Sequence, residues 1–227
     1  MTSGRAIWLY GSHARGKVRP DSDLDVLVVE ESDSPMLGVL DVGTELVNAS
    51  ISQYSWREIY GMAEYGSLFL HHLRLEGRPI FEDERCRGRF RRLLDKLPQY
   101  AKGARDARGF ATVLGDVRSS LARRCNDPFE LSVLATIIRH SAILGCWMHG
   151  VPRFGRTEPV RVMSEIIACG EDWMGFDELY QYRLYCDRRI ARERLTTVDG
   201  DMWCGRAQLI VNHLEELSNG DGEQVLG

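Results

Sequence analysis

The sequence is poor in features that would place it outside ordinary cytoplasmic globular chemistry. Its six cysteines, at 86, 125, 146, 169, 186 and 204, contain no CxxC pair and no metal-type spacing. Reduced thiols in a cytoplasmic protein are expected. The first ten residues offer only Ala6 to Tyr10 as an apolar run, too short for a secretory signal. No long hydrophobic run is free of charge: the most apolar stretch, Leu131 to Met148, carries Arg139 and His140 at its middle. Those two would be costly at a bilayer centre, so the stretch reads as a buried core helix and no membrane is expected. Lysine is scarce, arginine supplying 26 of the 29 basic residues. Net charge is only −4, which on its face argues against a phosphate-rich partner. With 227 residues, 44% hydrophobic and 27% charged, the chain is long enough for one large or two small cores. Collagen-like, low-complexity and wholly disordered classes are excluded.

The hydrophobic period changes along the chain. Residues 5–10, 24–29 and 44–52 are short runs of strand-forming residues. Helices are expected from Ser55 to Tyr65 and from Ser67 to Glu76. A turn at Gly77 then leads into a short edge strand that tolerates Pro79. Beyond about residue 84 apolar residues recur at helical spacing. Examples are Phe90, Leu93, Leu94 and Leu97, then Phe110, Val113, Leu114, Val117 and Leu121. Asp127-Pro128 is a start signal for a helix over 128–149. Further helices are expected over 158–169, 176–194 and 201–218. The fold class expected is α+β, a small mixed-sheet domain over 1–84 followed by an all-helical domain over 85–227.

The chemistry gathers between the first two strands. Strand 1 runs into Gly11-Ser12-His13-Ala14-Arg15-Gly16, and ten residues separate Ser12 from Asp23-Leu24-Asp25, which opens strand 2. A glycine at the strand end lets backbone N–H groups approach a phosphate, and the short helix that follows adds free donors. Ser12 can donate its hydroxyl, and Arg15 and Lys17 stand beside the turn. Asp23 and Asp25 lie two apart, so they share one face of the strand. Paired carboxylates on one face suit a Mg²⁺ ion that also holds triphosphate oxygens.

GSHARG followed by SDLDVLVV resembles the signature of the nucleotidyltransferase superfamily that includes DNA polymerase beta, in its minimal nucleotidyltransferase, kanamycin-nucleotidyltransferase-like branch. The resemblance covers roughly residues 5–81. It implies transfer of a nucleoside monophosphate from an NTP, ATP first among them, with pyrophosphate leaving and two Mg²⁺ ions assisting. Asp23 and Asp25 would be catalytic metal ligands, and Gly11, Ser12, Arg15 and Lys17 would bind nucleotide. The acceptor could be a small hydroxyl compound such as an aminoglycoside, a protein hydroxyl or an RNA end.

Active members place a third carboxylate on the next strand, and here the sequence departs. Strand 3 reads Glu45-Leu46-Val47-Asn48-Ala49-Ser50-Ile51-Ser52. Alternation puts Val47, Ala49 and Ile51 on a buried face and Asn48, Ser50 and Ser52 on the cleft face, with Ser50 or Asn48 at the acid position. Three alternatives stay open. An acid from the helical domain, or from the second chain of a homodimer, could complete the site. The chemistry could run on one well-held ion. Or the chain is a catalytically impaired antitoxin or regulator of toxin–antitoxin type that binds a protein partner. Related toxin RNases carry Arg-x4-His, but Leu144 stands five after Arg139 and no other Arg supplies that spacing. RNase activity is not expected.

Arg139, Arg153 and Arg156 are candidate substrate contacts. Residues 85–124 hold 12 basic residues against three acids, and Arg85, Arg89, Arg92 and Lys96 fall on one helical stripe. That basic face suits RNA or an acidic protein, so an RNA-directed transferase is a further alternative. The total of −4 is therefore an average: residues 1–84 carry −7 and residues 85–227 carry +3.

Overall fold

In a computed structural model, residues 4–19, 22–31, 49–123, 127–167 and 173–220 are described. Contacts divide the chain into two compact units, Met1–Ala101 and Lys102–Gly227. The division expected at 84/85 follows the change in hydrophobic period. In space, residues 85–101 pack with the first unit, because Phe90 and Leu94 are buried in its core.

Among the described residues the first unit has four strands, β1 (Ala6–Tyr10), β2 (Leu24–Glu30), β3 (Ala49–Ser55) and β4 (Arg78–Glu82), in the order β3-β2-β1-β4. β1 runs antiparallel to β2 and β4, while β2 and β3 are parallel. The sheet is therefore mixed. β2 is an interior strand, and Val26, Leu27, Val28 and Val29 are all buried, as a strand covered on both faces requires.

One face of the sheet carries Ala6, Trp8, Leu27 and Val29. It packs with residues of α2 (Trp56–Glu64), α3 (Leu68–Glu76) and α4 (Arg89–Asp95), including Trp56, Ile59, Leu70, Leu73 and Phe90. Trp8 meets Phe90 edge to face at 5.0 Å, the arrangement that the ring quadrupoles favour. The start of α2 is set by its own sequence: the Ser55 hydroxyl accepts from the Glu58 amide, and the Glu58 carboxylate accepts from the Ser55 amide. The opposite face carries a smaller cluster of Ile7, Val26 and Val28 with Leu24 and Ala49.

This layout reverses the expectation for β3. Ile51, assigned to a buried face, is 38% exposed, and Tyr54, on the face of Ser50 and Ser52, packs against the helix-side core. Among the described residues β3 pairs with β2 alone, and its apolar side turns toward the less covered face of the sheet. Glu45, Val47 and Asn48 lie outside the described residues.

The second unit consists of α5 (Gly103–Leu121), α6 (Pro128–Met148), α7 (Glu158–Ile166), α8 (Phe176–Cys186) and α9 (Gly200–Gly220). α6 is the centre, packing against each of the others. Asp127 caps it, its Oδ1 accepting from the Phe129 amide at 2.9 Å. By length and composition α6 could cross a membrane, but most of it is buried inside the protein. The helix expected over 176–194 stops at Cys186, where Arg188 takes a left-handed backbone (φ 58°) and the Arg189 amide bonds back to the Leu184 carbonyl. On α5, Val113 is exposed and Ala107 takes its place in the buried stripe.

Candidate functional site

β1 ends at Tyr10, and the chain turns at once into α1 (Gly11–Ala14), a single helical turn. Gly11 has φ +71°, a conformation that side chains with a Cβ rarely adopt. A Cβ there would also overlap the Asp25 carboxylate. Glycine at the strand end is thus required twice, by backbone conformation and by the acid lying against it. The turn is closed by backbone bonds from Arg15 to the Gly11 carbonyl, Gly16 to His13 and Lys17 to Ser12, at 3.0–3.3 Å. Ser12 and Arg15 are partly buried, while Lys17 is exposed.

Asp25 is the second residue of β2 and stands in register with Tyr10 on β1 and Ser50 on β3. In-register neighbours share a face, so Tyr10, Asp25 and Ser50 point to the same side. Asp23 lies just before the strand. Burial raises the pKa of Tyr10; a hydrogen bond to Ser52 opposes this, and the charges of Asp25 and Asp23 add to the rise. The Tyr10 hydroxyl sits 3.0 Å from the Ser52 Oγ.

Among the described residues no group of three or more His, Cys, Asp or Glu side chains could hold a metal ion. The donors present are a carboxylate pair beside a phosphate-type turn. That set fits a Mg²⁺ ion sharing its ligands with phosphate oxygens and water, since Mg²⁺ commonly takes only one or two protein carboxylates. Among the described residues no third acid joins the pair, and the residue beside Asp25 on β3 is Ser50.

Two groups at the site, Glu76 and His72, carry no sequence signal. Arg15 is ion-paired through Nη1 to Oε2 of Glu76, the last residue of α3. The same oxygen lies 2.8 Å from His72 Nε2. The His72 ring meets Tyr10 edge-on at 5.8 Å. Burial works to raise the Glu76 pKa, but the hydrogen bonds and charges of His72 and Arg15 outweigh it and hold the carboxyl below its ordinary value. The spacing 72–76 is one helical turn, but it joins Arg15 only through the fold.

Arg139, Arg153 and Arg156 belong to the second unit. Arg139 donates to the carbonyls of Phe154 (2.9 Å) and Gly155 (3.2 Å), holding the loop after α6. Arg153 donates to the Pro152 carbonyl at 2.8 Å and lies 3.5 Å from Glu158. The Arg156 guanidinium sits 5.0 Å over the Tyr180 ring. In the basic stripe, helix α4 covers only Arg89–Asp95. Arg89 is structural, lying 4.1 Å over Trp56 and bonded to the Tyr60 hydroxyl and Glu31. Arg85, Arg92 and Lys96 are exposed.

Residues 2–74 match the family described as nucleotidyltransferase domain. Among solved structures, the chain is similar to a nucleotidyltransferase-like protein from Exiguobacterium sibiricum 255-15. The identity is 16% over 96% of this chain and 69% of that one, with a TM-score of 0.35. Comparison with curated proteins found no match. The matched segment spans β1, the Gly11 turn, β2, β3, α2 and most of α3, and it is similar in sequence to nucleotidyltransferase domains.

Proposed function

We propose that the protein transfers a nucleoside monophosphate from an NTP, with ATP the first candidate, to a hydroxyl acceptor in a Mg²⁺-dependent reaction. The single observation that supports this most is the contact of Gly11 with Asp25, which joins a phosphate-type turn to a metal-type carboxylate pair. Asp23 and Asp25 hold the metal. The backbone at Gly11, the Ser12 hydroxyl, Arg15 and Lys17 hold the triphosphate. The ion, when bound, offsets charge on the phosphate oxygens as they rearrange. The acceptor hydroxyl passes its proton to solvent water as its oxygen bonds to the α-phosphorus. The bond from that phosphorus to the α,β-bridging oxygen breaks, and pyrophosphate leaves. In this reading the first unit, which holds Gly11, Asp23 and Asp25, carries the transfer.

The test is pyrophosphate release from each of the four NTPs with Mg²⁺, offered an aminoglycoside, an RNA end or a protein hydroxyl. Replacing Asp23 and Asp25 together by Ala should abolish release. Equal turnover by that double variant would refute the assignment.

A second reading is supported by Ser50 beside Asp25. With no third acid, the domain could bind nucleotide and act as a regulator or antitoxin through a protein contact. NTP-dependent thermal stabilisation without product on any acceptor would favour it. The basic residues of 85–124 supply the case for an RNA acceptor, whose affinity should fall steeply with salt.

A further inference from the structure

The guanidinium nearest the phosphate-type turn is held by a carboxylate from a distant helix. Arg15 and Glu76 are 61 positions apart and ion-paired, with side chains only 18% and 19% exposed. The same Glu76 oxygen takes His72 Nε2 at 2.8 Å, and His72 is 12% exposed. Nothing else about the place favours an acid. Glu76 is the last residue of α3, at the negative end of the helix dipole, where a carboxylate is disfavoured unless cations offset it. Its backbone is nevertheless well anchored: the Gly77 amide bonds to the Leu73 carbonyl at 2.8 Å, and β4 begins at Arg78. On the other side, backbone bonds tie the turn of Gly11 to Lys17. The soft part between two fixed elements is the long side chain of Arg15.

We infer that Glu76, steadied by His72, is a positioning residue that holds the Arg15 guanidinium in place for the triphosphate. The inference rests on the nucleotidyl-transfer reading and deepens it. A guanidinium has five N–H donors in a rigid fork, so a bond through Nη1 to Glu76 leaves donors for a phosphate oxygen. Held this way, the side chain loses little further rotamer freedom when nucleotide arrives. The opposite arrangement, in which Glu76 competes with the triphosphate for Arg15, predicts the opposite sign of effect. The two are therefore separable by experiment.

The experiment measures the Kd of the full chain for α,β-methylene NTP analogues with Mg²⁺, using each of the four bases. The proteins are wild type, Arg15→Ala, Glu76→Gln and the double variant, each checked by thermal melt. Glu76→Gln should weaken binding about tenfold, the scale of one charge-assisted contact. The double variant should bind no worse than Arg15→Ala alone, because Glu76 acts through Arg15. A merely structural role would make the two losses add. If Glu76→Gln does not fold, Glu76→Asp keeps the charge, displaces it, and completes the same cycle. Unchanged or tighter binding by the Glu76 variant, or additive losses, overturns the inference while leaving the nucleotide site standing. Failure of every analogue to bind wild type overturns both. Loss in Arg15→Ala without loss in the Glu76 variant overturns only the positioning role.

Discussion

Ser50 of β3 lies beside Asp25 of β2 in parallel register, on the face that also carries Tyr10. Under the proposed function, a hydroxyl stands at the position expected for a third carboxylate. Ser50→Asp should raise NTP turnover at least several-fold and strengthen its Mg²⁺ dependence, read as pyrophosphate release against metal concentration. No gain in either would count against a missing acid as the limiting feature.

Gly11→Ala combines a left-handed backbone with an overlap on Asp25. A Cβ in that backbone region costs about 1–2 kcal/mol before the overlap is counted. Urea unfolding should show at least that loss, and the nucleotide-analogue Kd should weaken at least tenfold. Wild-type values for both would mean that the turn and the acid are not in contact.

Arg139 ties the carbonyls of Phe154 and Gly155 to α6. Arg139→Ala should cost about 2–3 kcal/mol in the urea midpoint analysis, because two charge-assisted bonds are lost. Arg139→Lys should recover only part of it, since an ammonium cannot reproduce the planar fork.

His149 and His213 lie end to end, Nε2 to Nε2 at 2.8 Å with the rings 9° from parallel. One nitrogen donates and the other accepts, so double protonation breaks the bond. Burial, then the charge of His213, lowers the His149 pKa. A depressed folded pKa contributes stability above the unfolded value near 6.5 and loses it as pH falls toward the folded one. His71, buried and donating to the Pro98 carbonyl at 3.0 Å, is lowered by burial and works in the same direction. Stability should fall between pH 7.5 and 5.5, and His149→Gln with His213→Gln should flatten that slope. An unchanged slope would remove the pair from the account.

How much was legible depended on distance along the chain. The turn from Gly11 to Lys17 and the acids at 23 and 25 are local, so their spacing carries their geometry. α6 was legible for a similar reason: Asp127-Pro128 marks its start, and apolar residues dominate it on both sides of Arg139 and His140. Glu76 and His72 were not, since on α3 they read as ordinary polar residues of a helix, and only folding brings them to Arg15. The stop of α8 was hidden because Arg188 takes the left-handed position usually held by glycine. The covered face of β3 was misread because alternation identifies two faces but not which one the helices occupy. That choice is made by Trp56, Leu70 and Phe90.

The central claim is that the Gly11 turn and the carboxylates of Asp23 and Asp25 form one site for an NTP with its metal. It is tested most directly by binding of the α,β-methylene NTP analogues to wild type and to the variant with both acids changed to Asn, with and without Mg²⁺. The account predicts Mg²⁺-dependent binding by wild type and at least a tenfold loss in the variant. Binding that is absent from wild type, or equal in both proteins and indifferent to Mg²⁺, would contradict it.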